Sequence, residues 1–212
     1  IWQGRDRTLY DLYAEAATPW SWYPPLKATA ERRGMACFAS VFDFESVDYL
    51  EAHGCPAYKI ASFELVDLPL LYYAASKGKP MILSTGMAES GEISNAVTTA
   101  CYGGSPHPVL LKCTSAYPAR AMDANLCMIL DMAYRFGASV GLSDHTLGVA
   151  VPVAAVVLGA CMVEKHLTLS RADGGPDAAF SLEPTEFAAM VAAVRTAQQA
   201  IGTAVQINQW AE

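Results

Sequence analysis

Residues 138–169 read ASVGLSDHTLGVAVPVAAVVLGACMVEKHLTL, and this stretch decides the fold. A short apolar run ends in Ser143-Asp144-His145-Thr146, an apolar segment of helical length follows, and a second run ends in Glu164-Lys165-His166. Two such runs joined by a helix form a βαβ unit, whose strands are parallel. Both histidines then fall where their strands leave the sheet, on one rim. Side chains alternate along a strand, so Ser143 shares a face with His145, and Glu164 with His166. Two imidazoles from neighbouring strand ends, with carboxylates beside them, are the start of a divalent metal site. A lone histidine is ordinarily a satisfied core or surface residue. Two of only four histidines in matching places, both beside acids, favour the metal.

Upstream, the same alternation repeats. Leu9–Ala17 has helical spacing and is broken by Thr18-Pro19; Pro24-Pro25 opens a second helix through Lys27–Arg33, stopped by Gly34. The pattern then predicts strands over Met35–Phe42, Ala57–Glu64, Pro80–Gly86 and Val109–Tyr117. Helices are predicted over Glu45–His53, Leu68–Ser76, Gly91–Tyr102 and Asn125–Arg135, with glycine at most of their ends. Thr185–Ile201 forms the last helix, after Pro184 and before Gly202. With the two histidine strands this makes six strands in one βα series, without a linker or compositional break, and so one domain over residues 1–212.

Composition narrows the partners. Fourteen basic against 21 acidic residues leave a net charge of −7, which argues against nucleic acid. An anionic substrate then needs local positive charge from particular lysines or a metal. No apolar run reaches the length of a membrane span; Val149–Ala160 reads as a buried helix. Six cysteines without a CxxC pair suggest buried free thiols in a reducing cytosol. The chain begins at Ile1 without methionine or a visible signal peptide, which leaves its true N-terminus open.

Strict βα alternation allows a closed barrel or an open doubly wound sheet. No GxGxxG follows the first strand, so a dinucleotide fold is unsupported. Every predicted strand exits into reactive side chains: Ser40 and Asp43; Lys59, Ser62 and Glu64; Ser84 and Thr85; Thr114, Ser115 and Tyr117; Ser143 to His145; Glu164 and His166. An open sheet concentrates its site at one switch point, whereas a barrel draws on every strand. The chain therefore reads as an α/β protein, a TIM (β/α)8-type barrel lacking its first two β/α units.

These residues also carry a family resemblance. The runs YKIASFE, KPMILSTGMAESGEI, LLKCTSAYPA, VGLSDHTLG, VEKHLTL and GGPDAAFSLEP resemble the sialic acid (nonulosonic acid) synthases, in unbroken order over nearly the whole chain. YKIASFE, KCTSAYP and GGPDAAFSLEP look closest to the pseudaminic acid synthase branch; neuraminate synthases more usually read YKIGSGE. The resemblance implies condensation of phosphoenolpyruvate with an open-chain N-acetylated amino sugar (2,4-diacetamido-2,4,6-trideoxy-altrose in that branch). The products are a nine-carbon 2-keto acid and phosphate. It implies manganese or magnesium on His145 and His166, with open positions for water and the sugar aldehyde. Ser40, Lys59, Ser62, Ser84, Ser115 and Ser143 match phosphoenolpyruvate-contacting positions, while Glu64, Tyr117 and Asp177 match sugar-contacting ones. Lys59, Glu64 and Glu164 are the candidate catalytic residues.

Each assignment has a plainer reading. Lys59 could form a structural ion pair with Glu64, and Ser84 or Ser143 could close turns or cap helices. Asp144 could orient a neighbour rather than bind metal. Lys112 departs from the neuraminate branch and belongs to specificity or to packing. Val41 stands where the family often has proline, and Tyr10, Tyr13, Trp20 and Trp22 read as a core stripe. Nothing matches the glutamate and lysine that the family's first two strands bring to the site, nor its C-terminal antifreeze-like domain. The expectation is an internal piece of a cytoplasmic, homodimeric enzyme, inactive by itself. Rival readings are a neuraminate or legionaminate synthase, a metal-dependent hydrolase, and a non-catalytic sugar- or phosphate-binding relic.

Overall fold

The computed structural model describes residues 8–202. Six strands form one all-parallel sheet in sequence order: β1 (Ala39–Ser40), β2 (Tyr58–Ile60), β3 (Met81–Ser84), β4 (Val109–Cys113), β5 (Val140–Asp144) and β6 (Val163–Lys165). Helices α1 (Leu9–Ala16) and α2 (Tyr23–Glu31) precede it. Helices α3 (Phe44–Ala52), α4 (Leu68–Ala75), α5 (Ser90–Gly103), α6 (Met128–Phe136), α7 (Ala150–Val157) and α8 (Pro184–Ile201) each follow a strand.

The βα register has local causes. Asp43 caps α3 by accepting from the Ser46 amide, Asp67 caps α4, and Glu89 with Glu92 and Glu183 with Glu186 box the starts of α5 and α8. Asp43 thus serves its helix rather than the rim cluster. The apolar strand centres Ile60, Leu83, Leu110 and Leu142 pack against Leu70, Leu71, Ala74, Ile129 and Ala155 in one core. Helices α4 and α5 approach so closely that a Cβ on Gly103 would sit 2.6 Å from the Ala75 Cβ, so only glycine fits there.

The sheet curls into a half-barrel. Lys59 on β2 and Glu164 on β6 are four strand spacings apart, about 19 Å across a flat sheet at about 4.8 Å per strand. Their charged atoms nevertheless lie 3.5 Å from each other. Only a sheet wrapped around its inner face brings them together.

Several expectations change. Pairing is shorter than the apolar runs: β1 pairs over two residues rather than over 35–42, and β2 and β4 end at Ile60 and Cys113. The polar residues beyond these points leave the ladder and form the rim loops. Beyond β6 the chain is partly paired, since Thr168 N–H donates to the Leu182 carbonyl and Leu182 N–H to that of His166. Tyr10, Tyr13, Trp20 and Trp22 are exposed rather than core. The Trp20 ring packs tilted against Tyr49 of α3, whose hydroxyl donates to the Trp20 backbone carbonyl, but no layer covers this face among the described residues. All six cysteines are free, yet Cys101, Cys127 and Cys161 are exposed, because their elements turn those positions outward. No helix among the described residues is long and apolar enough to cross a membrane.

Candidate active site

At the carboxyl ends of the strands the half-barrel encloses an open cavity of about 360 Å³. It is lined by nine of the predicted residues: Ser40, Lys59, Ser62, Ser84, Tyr117, Ser143, His145, Glu164 and His166. Lys59 is buried, and its ammonium donates to Ser84 Oγ at 2.7 Å and to the Ile60 carbonyl at 3.3 Å. Its ion-pair partner is Glu164, at 3.5 Å, and not Glu64 as the neighbouring sequence suggested. Glu164 also accepts the Ser143 hydroxyl proton at 2.7 Å. One lysine, two serines and one carboxylate therefore form a continuous polar wall from β2 to β6.

A second group converges beneath this wall. The Gly86 amide donates to Ser62 Oγ at 3.1 Å. A Cβ on Gly86 would stand 2.5 Å from Ser115 Oγ, 2.9 Å from Ser62 Oγ and 3.1 Å from Cys113 Sγ, so any larger residue would fill the cradle. Ser115 Oγ is buried without a hydrogen-bond partner in the protein. An orphan buried hydroxyl is what an anion's oxygen would satisfy.

The histidines stand beside this cradle. Their ring centroids are 5.3 Å apart, with Tyr117 4.4 Å from His145 and Phe180 5.0 Å from His166. His145 Nδ1 lies 2.9 Å from the Thr114 carbonyl, which can only accept, so Nδ1 carries the proton and Nε2 keeps a free lone pair when the ring is neutral. Burial pushes the His145 pKa down, but its bonds to Cys113 and Thr114 and the Asp144 charge carry it above the ordinary value. Burial takes His166 below it, against the opposing pull of Asp177, whose carboxylate is 3.5 Å from Nδ1. Burial likewise raises the Cys113 thiol, yet hydrogen bonding to His145, Ser62 and Ser143 brings it below its usual range.

Two imidazoles at this spacing fit a divalent ion with open coordination positions. Among the described residues no three or more His, Cys, Asp or Glu side chains enclose a metal. Asp144 turns away from the cavity and pairs with Lys165 at 2.6 Å. Glu64 and Asp177 flank the cavity without lining it. Glu64 Oε2 is buried without a partner, and burial raises its pKa. Lys112 faces the helix layer and donates to Thr114 Oγ1 at 2.6 Å, which places it in packing rather than in the cavity. Cys113, Phe63 and Phe180 were missed; the strand alternation that turns Ser115 inward turns Cys113 inward as well.

A family model described as the NeuB family matches residues 2–206. The chain belongs to the NeuB family. This NeuB chain is 42% identical to the pseudaminic acid synthase of Helicobacter pylori, over 92% of its own length and 57% of that protein's. It is 41% identical to the N,N'-diacetyllegionaminic acid synthase of Campylobacter jejuni, over 84% of this chain and 54% of that one. The chain thus spans little more than half the length of these curated relatives. Among solved structures it resembles the N-acetylneuraminic acid synthetase of Leptospira borgpetersenii in complex with citrate, with a TM-score of 0.90 and 32% identity, over 98% of this chain and 72% of that one.

Proposed function

We propose that this NeuB chain supplies six of the eight βα units of a (β/α)8 barrel that condenses phosphoenolpyruvate with an open-chain N-acetylated amino sugar. The observation that carries this reading is the contact between two half-sites in one cavity. An anion cradle of Lys59, Ser84, Ser62 and Ser115 adjoins the paired rings of His145 and His166. The 42% identity to a pseudaminic acid synthase favours the diacetamido-trideoxy sugar of that branch.

In this reading Lys59 and the serine hydroxyls hold the phosphate and carboxylate of phosphoenolpyruvate, with Ser40 and Ser143 at the flanks. The methylene carbon of the enol attacks the sugar aldehyde, forming the new carbon–carbon bond. Water adds to the former enol carbon, and the carbon–oxygen bond to phosphate breaks, leaving the 2-keto acid and inorganic phosphate. A divalent manganese or magnesium ion on His145 and His166 would polarise the aldehyde oxygen. Tyr117, Asp177 and Glu64 would meet the sugar, and Glu164 would handle protons between the two substrates. The enzyme would act in the cytoplasm as a homodimer.

The test is release of inorganic phosphate that depends on both phosphoenolpyruvate and sugar, with a panel of hexosamine-derived sugars. Turnover of the diacetamido-trideoxy-altrose alone supports the pseudaminic reading. Preference for N-acetylmannosamine, or for the legionaminate precursor, moves the chain to a sister activity. The assay uses a protein of the curated relatives' full length that contains these residues, and no turnover by that protein with any sugar rejects the synthase reading.

A further inference from the structure

The strand ladder does not itself fix the two histidines. The last register pair between β5 and β6 is Asp144↔Lys165, and His145 and His166 each lie one residue beyond it. That pair forms an ion pair, Lys165 Nζ to Asp144 Oδ2 at 2.6 Å, with both side chains 1% exposed; Lys165 borders the cavity and Asp144 does not. Lys165 also donates to the Thr146 carbonyl, and the Thr146 amide donates to Asp144 Oδ1 at 2.9 Å. The carboxylate and the ammonium thus bind each other, and both grip the backbone on the far side of His145. A buried ion pair adds little net stability, because desolvation consumes most of its attraction. Stability alone accounts poorly for its place directly behind both rings.

We propose that Asp144 and Lys165 are positioning residues whose ion pair sets the spacing of His145 and His166, and with it the affinity of the metal those rings would hold. This rests on the metal reading given above. The pair acts through the backbone that carries the two rings rather than as a ligand of the metal.

Manganese binding to the full chain, followed by the electron paramagnetic resonance of the free ion, separates positioning from a simple field effect. Positioning predicts weakening of about 10–100-fold in both Asp144→Asn and Lys165→Met, the range for groups that orient metal ligands. A field effect predicts opposite signs, because loss of a nearby cation would tighten binding. Tighter binding in Lys165→Met would overturn the proposal. The double variant Asp144→Asn with Lys165→Met leaves the net charge unchanged and should stay weakened; a return to wild-type affinity would leave only the field. Cobalt substitution adds a coordination signature, and its visible spectrum should change in the variants. Where Lys165→Met does not fold, the isosteric Asp144→Asn carries the test through crystallography. Ring centroids still 5.3 Å apart would sink the proposal whatever the affinity. If the unaltered protein binds no manganese, the metal reading falls by itself, and the ring spacing in the variants still decides positioning.

Discussion

Lys59 and Glu164 meet across the curled sheet at 3.5 Å, and each has a serine of its own, Ser84 for the lysine and Ser143 for the glutamate. Lys59 is a buried cation of the cavity wall whose ammonium meets Ser84 and Glu164, so an anionic substrate should depend on it. Lys59→Met keeps the stem and removes the charge. It should weaken phosphoenolpyruvate binding by about 1.5–3 kcal/mol, the scale of a charge-assisted hydrogen bond. Calorimetric affinity within twofold of wild type, with the fold intact, would assign Lys59 to structure.

Glu164 competes with that anion for the same ammonium. Glu164→Gln removes the competing charge but keeps an acceptor for Ser143. Phosphoenolpyruvate should then bind at least as tightly as before, while kcat falls by about 10²-fold or more if Glu164 handles a proton. Weaker phosphoenolpyruvate binding with unchanged kcat would reverse both roles.

The sequence carried the fold through glycine-ended helices and apolar strands in strict alternation, and the six strands stand where that alternation put them. It carried less of their length. Apolar character continues past Ser40 to Phe42, but pairing ends where the chain turns to cap α3 through Asp43. The aromatic residues Trp20 and Trp22 looked like core because composition records hydrophobicity and not which layer lies opposite. At the site, alternation along single strands anticipates that Lys59, Ser84, Ser143 and both histidines face one cavity. Contacts between distant strands are out of its reach: the one ion-pair partner it offers Lys59 is the nearby Glu64, whereas curvature delivers Glu164 from four strands away. The Asp144–Lys165 pair is invisible without the β5–β6 register.

His145 and His166 should bind one divalent ion jointly. His145→Ala and His166→Ala should each lower manganese affinity by at least about tenfold, since two protein ligands are already few for a tight site. Calorimetry reads the effect directly. Unchanged affinity in both variants would remove the metal from this rim.

The loop that carries Asp177 and Phe180 is anchored by Arg171, whose guanidinium grips Glu186 at 2.6 and 2.9 Å. That bidentate pair, with the Glu183 amide, holds the Glu186 carboxyl down to about 2 from an ordinary 4.5. A depressed carboxyl pKa contributes stability that is full above the unfolded value and is lost as pH falls through the folded one. Glu186→Gln should therefore melt below wild type at pH 6, and the gap should close between about pH 4.5 and 2. The pair is solvent-exposed, so the difference is small and is best read by calorimetric melting at low salt. A gap that widens on acidification would contradict the sign.

The outer edge of β1 has no strand partner among the described residues, and the aromatic face of Trp20 and Trp22 lies exposed beside it. Open parallel edges flanked by apolar surface favour pairing with another chain. At β6 the Leu182 bridge closes only the exit end, which leaves Val163–Lys165 with one neighbour. The 212 residues by themselves are therefore expected to self-associate. They should release no phosphate from phosphoenolpyruvate and sugar even with manganese, whereas a chain of the curated relatives' length should turn over. Light scattering and a coupled phosphate assay test the two halves separately. A compact monomer would show that the edges are protected within the chain. Sugar-dependent phosphate release by these residues would show that Lys59, Glu164 and the histidine pair suffice for the chemistry.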